Sequence, residues 1–177
     1  RVVDDIEDYA YKAFEAAKRD GNMEAVKVLA FRNIRCLNLN RKIRKKVLGV
    51  RDPTPLIGET MVANSSIENA THDAVLIRNN QKVVVLDIEK TESYGLAGAF
   101  VKFNDLDGVE IEEIVFVPAS PAKLVDRLAE LSREAKLLKK KGDEEGSKLC
   151  WRTFFKLKDG VADIRFTYAM TVQKAQG

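Results

Sequence analysis

Ala25-Val26-Lys27-Val28-Leu29-Ala30-Phe31 is the stretch on which the fold turns. It is a short apolar run, of the length and composition of a buried strand. Beyond it Cys36, Leu39, Ile43 and Val47 recur at spacings of three and four, so a helix follows the strand, and Gly49 closes it. An apolar strand, a turn and a helix together make the unit of an α/β sheet. Ahead of the strand, Ile6, Tyr9, Ala10, Ala13, Phe14 and Ala17 keep the same helical spacing through residues 2–20. Gly21-Asn22 is a fitting stop, because both residues tolerate left-handed backbone.

The character changes at Asp52-Pro53-Thr54-Pro55, where two prolines mark a boundary. Five β-like runs follow, at residues 59–63, 74–78, 82–89, 99–103 and 109–117, separated by Asn79-Asn80, Tyr94-Gly95 and residues 104–108. Short strands so closely spaced predict a small closed barrel. Pro118 and Pro121 then introduce a helix over residues 122–141, with Leu124, Leu128, Leu131, Ala135 and Leu138 on one face. Residues 142–146 read as a polar loop, residues 149–155 resume apolar character, and residues 162–169 read as another strand.

The order is βα, then all-β, then α/β again. It predicts a β-barrel inserted into an interrupted α/β domain. Residues 1–52 form the first part, 53–148 the insert with its helix, and 149–177 the return. The strands at 25–31 and 162–169 are then expected side by side in one sheet, with residues 57–117 forming the separate barrel.

Charge is distributed unevenly. The net charge is +3, yet residues 32–51 hold eight of the 30 basic residues (Arg32, Arg35, Arg41, Lys42, Arg44, Lys45, Lys46, Arg51) and none of the 27 acidic ones. The rest of the chain is therefore net negative. Such a window suits a polyanion, because each Lys or Arg that meets a phosphate releases condensed counterions. Its alternative is a solvated helix face.

Several classes are excluded. Apolar runs such as Val83-Val84-Val85-Leu86 stop at four residues, far short of the roughly 20 that span a bilayer. Two cysteines, Cys36 and Cys150, make no disulfide framework, and a lone His72 in a polar turn makes no metal cluster. Arg1 is followed by an acidic stretch with no apolar signal core, so a cytoplasmic protein is expected. The absence of an initiator Met suggests a piece of a longer chain.

The end of the chain carries the strongest motif: Thr167-Tyr168-Ala169-Met170-Thr171-Val172-Gln173-Lys174-Ala175-Gln176-Gly177. A Thr hydroxyl and free backbone N–H groups after a strand can hold a phosphate, and Lys adds a counter-charge. Gly allows close backbone approach, and Gln offers both a donor and an acceptor. The run resembles motif V of superfamily-1 helicases, Thr-x-His-Lys-Ser/Ala-Gln-Gly after a strand. Gln173 stands where His is usual, so the resemblance implies no imidazole role at this position.

Residues 28–46, VLAFRNIRCLNLNRKIRKK, resemble the motif IV strand and helix of the Dda and RecD helicases, with Asn33, Asn40 and Arg44 fitting the pattern. Residues 57–62 and 77–84 resemble the Src-homology-3-like barrel that these helicases insert into their second RecA-like domain. Trp151, Phe154, Lys158, Ala169 and Thr171 follow the same pattern. The helix at 122–141 matches nothing in it.

The resemblance implies part of an ATP-dependent DNA helicase of the RecD/Dda type, akin to the exodeoxyribonuclease V alpha subunit and found in phage or prophage, moving 5′→3′. The chain has no Gly-Lys pair and so no phosphate-binding loop. ATP and Mg would be held mainly by a first motor domain N-terminal to this chain. The chain alone is then expected to bind neither, to carry no catalytic or metal-ligating residue, and to hydrolyse no ATP. Its partners would be single-stranded DNA and that first domain. On this reading Thr171, Gln173 and Lys174 contact the strand, joined by Arg41, Lys42 and Lys45 unless these are only a solvated face. Arg32, Gln176 and Gly177 would face the nucleotide. Asn33 either positions a phosphate or caps the helix, and Trp151, Phe154 and Phe155 either stack on bases or pack inside. The rival reading is a non-enzymatic nucleic-acid-binding module with a small β-barrel and a basic helix.

Overall fold

The computed structural model describes residues 2–69 and 74–175, and the side chains from residue 6 onward. His72, Gln176 and Gly177 lie outside the described residues. Helix α1 (Val2–Arg19) buries Tyr11, Phe14 and Ala17. Tyr11 and Phe14 share a core cluster with Ile43, Val47 and Tyr168, and the Phe14 and Tyr168 rings meet edge to face at 5.8 Å. Gly21 turns the chain with φ +68°.

The expected strand over 25–31 is shorter than its apolar run. Met23–Ala25 is a 3-10 turn and only Val28–Ala30 (β1) is extended. Helix α2 (Asn33–Ile43) follows and passes into a π-helical turn, Arg44–Leu48, which stops at Gly49 with φ +73°. Strand β1 pairs in parallel with Ala169–Thr171, in the register Val28↔Ala169, Leu29↔Met170, Ala30↔Thr171. The neighbour of β1 is therefore the end of the expected 162–169 strand and the two residues beyond it. The earlier half, Ile164–Phe166, belongs to a different sheet. The switch falls at Thr167 and Tyr168, both buried. The Thr167 hydroxyl lies 3.0 Å from the Thr60 carbonyl and 3.0 Å from the Glu24 carboxylate, which pins the chain between the two sheets.

The second sheet has five antiparallel strands. After β2 (Thr60–Ala63), a small pair β3 (Ile67–Glu68) and β4 (Val75–Ile77) stands apart. Then come β5 (Lys82–Ser93), β6 (Leu96–Asn104) and β7 (Val115–Pro118), with β8 (Ile164–Phe166) returning late. The order is β7-β6-β5-β2-β8. The closed barrel expected from residues 57–117 is not found among the described residues. Strands β5 and β6, of 12 and 9 residues, run as one long hairpin about Tyr94-Gly95, where φ is +57° and +73°. The fifth strand comes from outside the expected segment. Among the described residues the two edges share a single bridge, Phe116↔Val161, and a hydrogen bond from the Ala162 N–H to the Phe116 carbonyl at 3.0 Å. A core of Met61, Val83, Val85, Val101, Phe103 and Ile164 fills the sheet's inner face. Of the run at 109–117 only its end, from Val115, belongs to a strand, with one isolated bridge, Asn104↔Glu110, near its start. Asp105 accepts from the N–H groups of Asp107 and Val109, which holds the chain in a turn before it.

Helix α3 (Pro121–Lys140) is capped by the Ser120 hydroxyl, and helix α4 (Glu144–Asp159) returns against it. The polar loop expected at 142–146 is thus only a tight turn about Gly142, φ +84°, and the apolar stretch at 149–155 is helical. Asp143 caps α4 by accepting the Gly146 N–H at 2.8 Å. Phe154 and Leu157 of α4 pack with Leu131 of α3 onto Leu96 and Phe116 of the sheet. No helix is long and apolar enough to cross a membrane among the described residues.

Candidate functional site

Strands β1 and β9 (Ala169–Thr171) run the same way, and each leads at its carboxyl end towards a helix, α2 after β1 and the short α5 (Val172–Ala175) after β9. In parallel sheets ligands sit outside the carboxyl ends of the strands, where loops and helix starts expose N–H groups. Here that end gathers Arg32, Asn33, Thr171, Gln173 and Lys174 from segments far apart in sequence.

Arg32 is exposed at the helix-capping position of α2 without a side-chain capping bond, so Asn33 is the first helical residue and not the cap. Thr171 is buried, yet its hydroxyl makes no hydrogen bond among the described residues. Gln173 is exposed. Lys174 is half-buried and donates to Asn64 Oδ1 at 2.5 Å. Asn64 in turn donates to Asp163 at 2.6 Å, and the other Asp163 oxygen accepts from Arg165 at 3.2 Å. Burial holds the Lys174 ammonium below the usual lysine pKa. Arg165 adds to that effect and Asp163 opposes it. An ammonium has three donors and one is committed here, so two remain for a phosphate. Gln176 and Gly177 lie outside the described residues.

The basic window divides in three. Arg44 is buried and bonded on all sides. Arg35 and Lys42 reach Glu7 of α1 at 2.7 and 2.8 Å, and these contacts hold the Glu7 carboxyl below its usual pKa, Lys42 contributing most. Lys46 lies over the Tyr11 ring at 4.7 Å. Arg32, Arg41, Lys45 and Arg51 are exposed with no partner among the described residues. Lys42 is thus engaged within the chain, and Arg41 and Lys45 are not. Trp151, Phe154 and Phe155 pack edge to face or tilted against one another along α4.

Sequence reasoning placed Asn40 in the motif IV resemblance without giving it a role, and it missed Asn64, Asp163 and Arg165, which also fix this site. Asn40, buried on α2, donates its amide to the Ala169 carbonyl at 3.0 Å and accepts the Ala169 N–H at 2.7 Å, occupying the edge of β9 away from β1. Asn64, Asp163 and Arg165 hold Lys174 against the five-stranded sheet. The signal for Asn40 was present: a polar residue beside Leu39 and one turn from Cys36 and Ile43, on the apolar side of α2. Among the described residues no group of three His, Cys, Asp or Glu side chains could hold a metal ion. No protein-family model matches the chain, and no curated protein matches it.

Proposed function

We propose that this chain is the strand-gripping part of the second motor domain of an ATP-dependent DNA helicase of the RecD/Dda type, a cytoplasmic enzyme. The observation that carries the reading is the parallel pairing of β1 with β9 across a long all-β and helical interruption. That arrangement is what an α/β motor domain with an inserted β unit requires. It brings the motif-bearing Thr171, Gln173 and Lys174 beside Arg32 at the carboxyl end of both strands. Two free Lys174 protons, an unbonded Thr171 hydroxyl and an exposed Gln173 are donors suited to phosphate oxygens of a single strand. Arg32, with Gln176 and Gly177, is assigned to the face that meets ATP held by a first motor domain. With no phosphate-binding loop in the chain, that domain would supply the Mg-ATP chemistry, and this one would convert its closure into a grip on DNA.

The test is binding of labelled oligonucleotides to the chain and to its Lys174→Ala variant. The variant is expected to bind thymidylate and mixed-sequence strands equally weakened, as loss of a phosphate contact requires. Undiminished binding by Lys174→Ala would contradict the assignment. Strand binding that weakens only for particular sequences would point instead to a base-reading module.

A further inference from the structure

Between α2 and the five-stranded sheet lies a cleft of about 490 Å³ that Thr171, Gln173 and Lys174 do not line. Its volume falls in the range of small-molecule sites, roughly 300–1,000 Å³. The floor is apolar, with Met61, Ile164 and the half-buried Phe166. Arg41, Lys45 and Arg51 line it as well, all exposed and without a partner among the described residues. Its one acidic lining residue, Asp52, is already held by Lys90 and Thr54. Three unpaired cations around an apolar floor describe a ligand with two ends, one anionic and one apolar.

We propose that the cleft binds a nucleotide unit, the base against Met61, Ile164 and Phe166 and the phosphate on Arg41, Lys45 and Arg51. Inorganic phosphate would leave the floor uncovered, and a simple fatty acid would bring one charge to three cations. Guanidinium groups suit both parts of a nucleotide, because they stack on base planes and pair with phosphate oxygens. The nucleotide is either free or one unit of a single strand. The second source is open because the cleft shares Leu37, Asn40, Arg165 and Phe166 with the crevice that holds Thr171 and Lys174. The cleft's chemistry does not depend on the motor-domain assignment.

The three methionines make the test direct. Met61 lines this cleft, Met170 lines the crevice at Thr171, and Met23 lies beside the α1 core cluster. The chain labelled with 13C-methyl methionine is titrated with adenosine monophosphate, adenosine, inorganic phosphate, octathymidylate and a hexaglutamate peptide. Adenosine monophosphate is expected to shift the Met61 methyl saturably and leave Met23 in place, with at least tenfold tighter binding than adenosine or phosphate alone. Octathymidylate shifting Met61 together with Met170 identifies a strand as the source, and failure of octathymidylate at Met61 with success of the mononucleotide identifies a free nucleotide. Replacing all three cations (Arg41→Gln, Lys45→Gln, Arg51→Gln) is expected to weaken the mononucleotide tenfold or more. Being exposed and unpaired, these residues can be replaced without disturbing the core. The proposal is overturned if Met61 ignores both nucleotide probes, if the triple variant binds as the parent does, or if hexaglutamate binds as tightly as the mononucleotide. Octathymidylate shifting Met170 while neither nucleotide probe moves Met61 would overturn the cleft and leave the strand-gripping reading standing.

Discussion

Arg44 shows why a residue's charge and its role have to be separated. Its Nε and Nη2 donate to the two Glu59 carboxylate oxygens at 2.8 and 3.0 Å, and its Nη1 and Nη2 to the carbonyls of Asp52 and Thr54, both at 2.7 Å. Its guanidinium lies 4.1 Å from the Phe166 ring centre. Glu59 also accepts the Tyr168 hydroxyl at 2.7 Å, and burial, with Glu59 beside it, pushes the Tyr168 pKa strongly up. Removing one partner of a buried pair leaves a charge with nothing to offset its desolvation, at a cost of about 3–5 kcal/mol. Arg44→Ala is therefore expected to lower unfolding stability by that order, whereas Lys42→Ala, at an exposed pair, should cost less than about 1 kcal/mol. Urea denaturation of both variants checks this, and equal losses would contradict it. Asp52 gives a pH-dependent counterpart. The Lys90 ammonium, then Thr54, hold its carboxyl at about 2. A carboxylate with a lowered folded pKa stabilises the fold above its unfolded value, near 4, and loses that contribution as pH falls to the folded value. The Tm gap between the parent and Asp52→Asn should accordingly be full above about pH 4 and shrink towards about pH 2. A gap that is constant over that interval would show that the carboxylate's charge is not what matters.

Among the elements, β9 is held from two sides, by β1 on one edge and by the Asn40 amide on the other. Asn40→Leu keeps the volume and strips both bonds from the Ala169 backbone. Unsatisfied buried groups cost about 1–3 kcal/mol each, so the Ala169 amide should exchange with solvent at least tenfold faster in the variant. Unchanged exchange would mean that the strand is held by β1 alone. Elements governed by local rules were legible in the sequence. Helices α1, α2 and α3 follow from apolar spacing, and the β5–β6 hairpin from Tyr94-Gly95. Elements governed by distant partners were not. The break between β8 and β9 depends on Thr167 reaching Thr60 and Glu24, which no periodicity in residues 162–169 reveals. Helix α4 was hidden because Trp151, Phe154 and Phe155 give its apolar stretch the composition of a strand. The Asp143 cap and the spacing of Ser147, Cys150, Phe154 and Leu157 were its available signals.

At the scale of the whole molecule, two sheets of opposite habit share one chain. The parallel pair β1–β9 carries the motif, and the five-stranded sheet anchors it through Asn64 and Glu59. The basic window was legible as a whole but not its division, since Glu7 and Glu59, which neutralise part of it, lie outside it in sequence. What remains unneutralised is Arg32, Arg41, Lys45 and Arg51, with Lys174 nearby. The central claim is that Lys174, with Arg41, Lys45 and Arg51, meets a phosphate backbone, Arg32 being assigned to the ATP face. It is tested most directly by titrating the chain with oligothymidylate across a series of salt concentrations. With about four phosphates contacted at roughly −0.7 each, log K against log salt should fall with a slope near −3. No binding at low salt, or binding that ignores salt, would contradict the account.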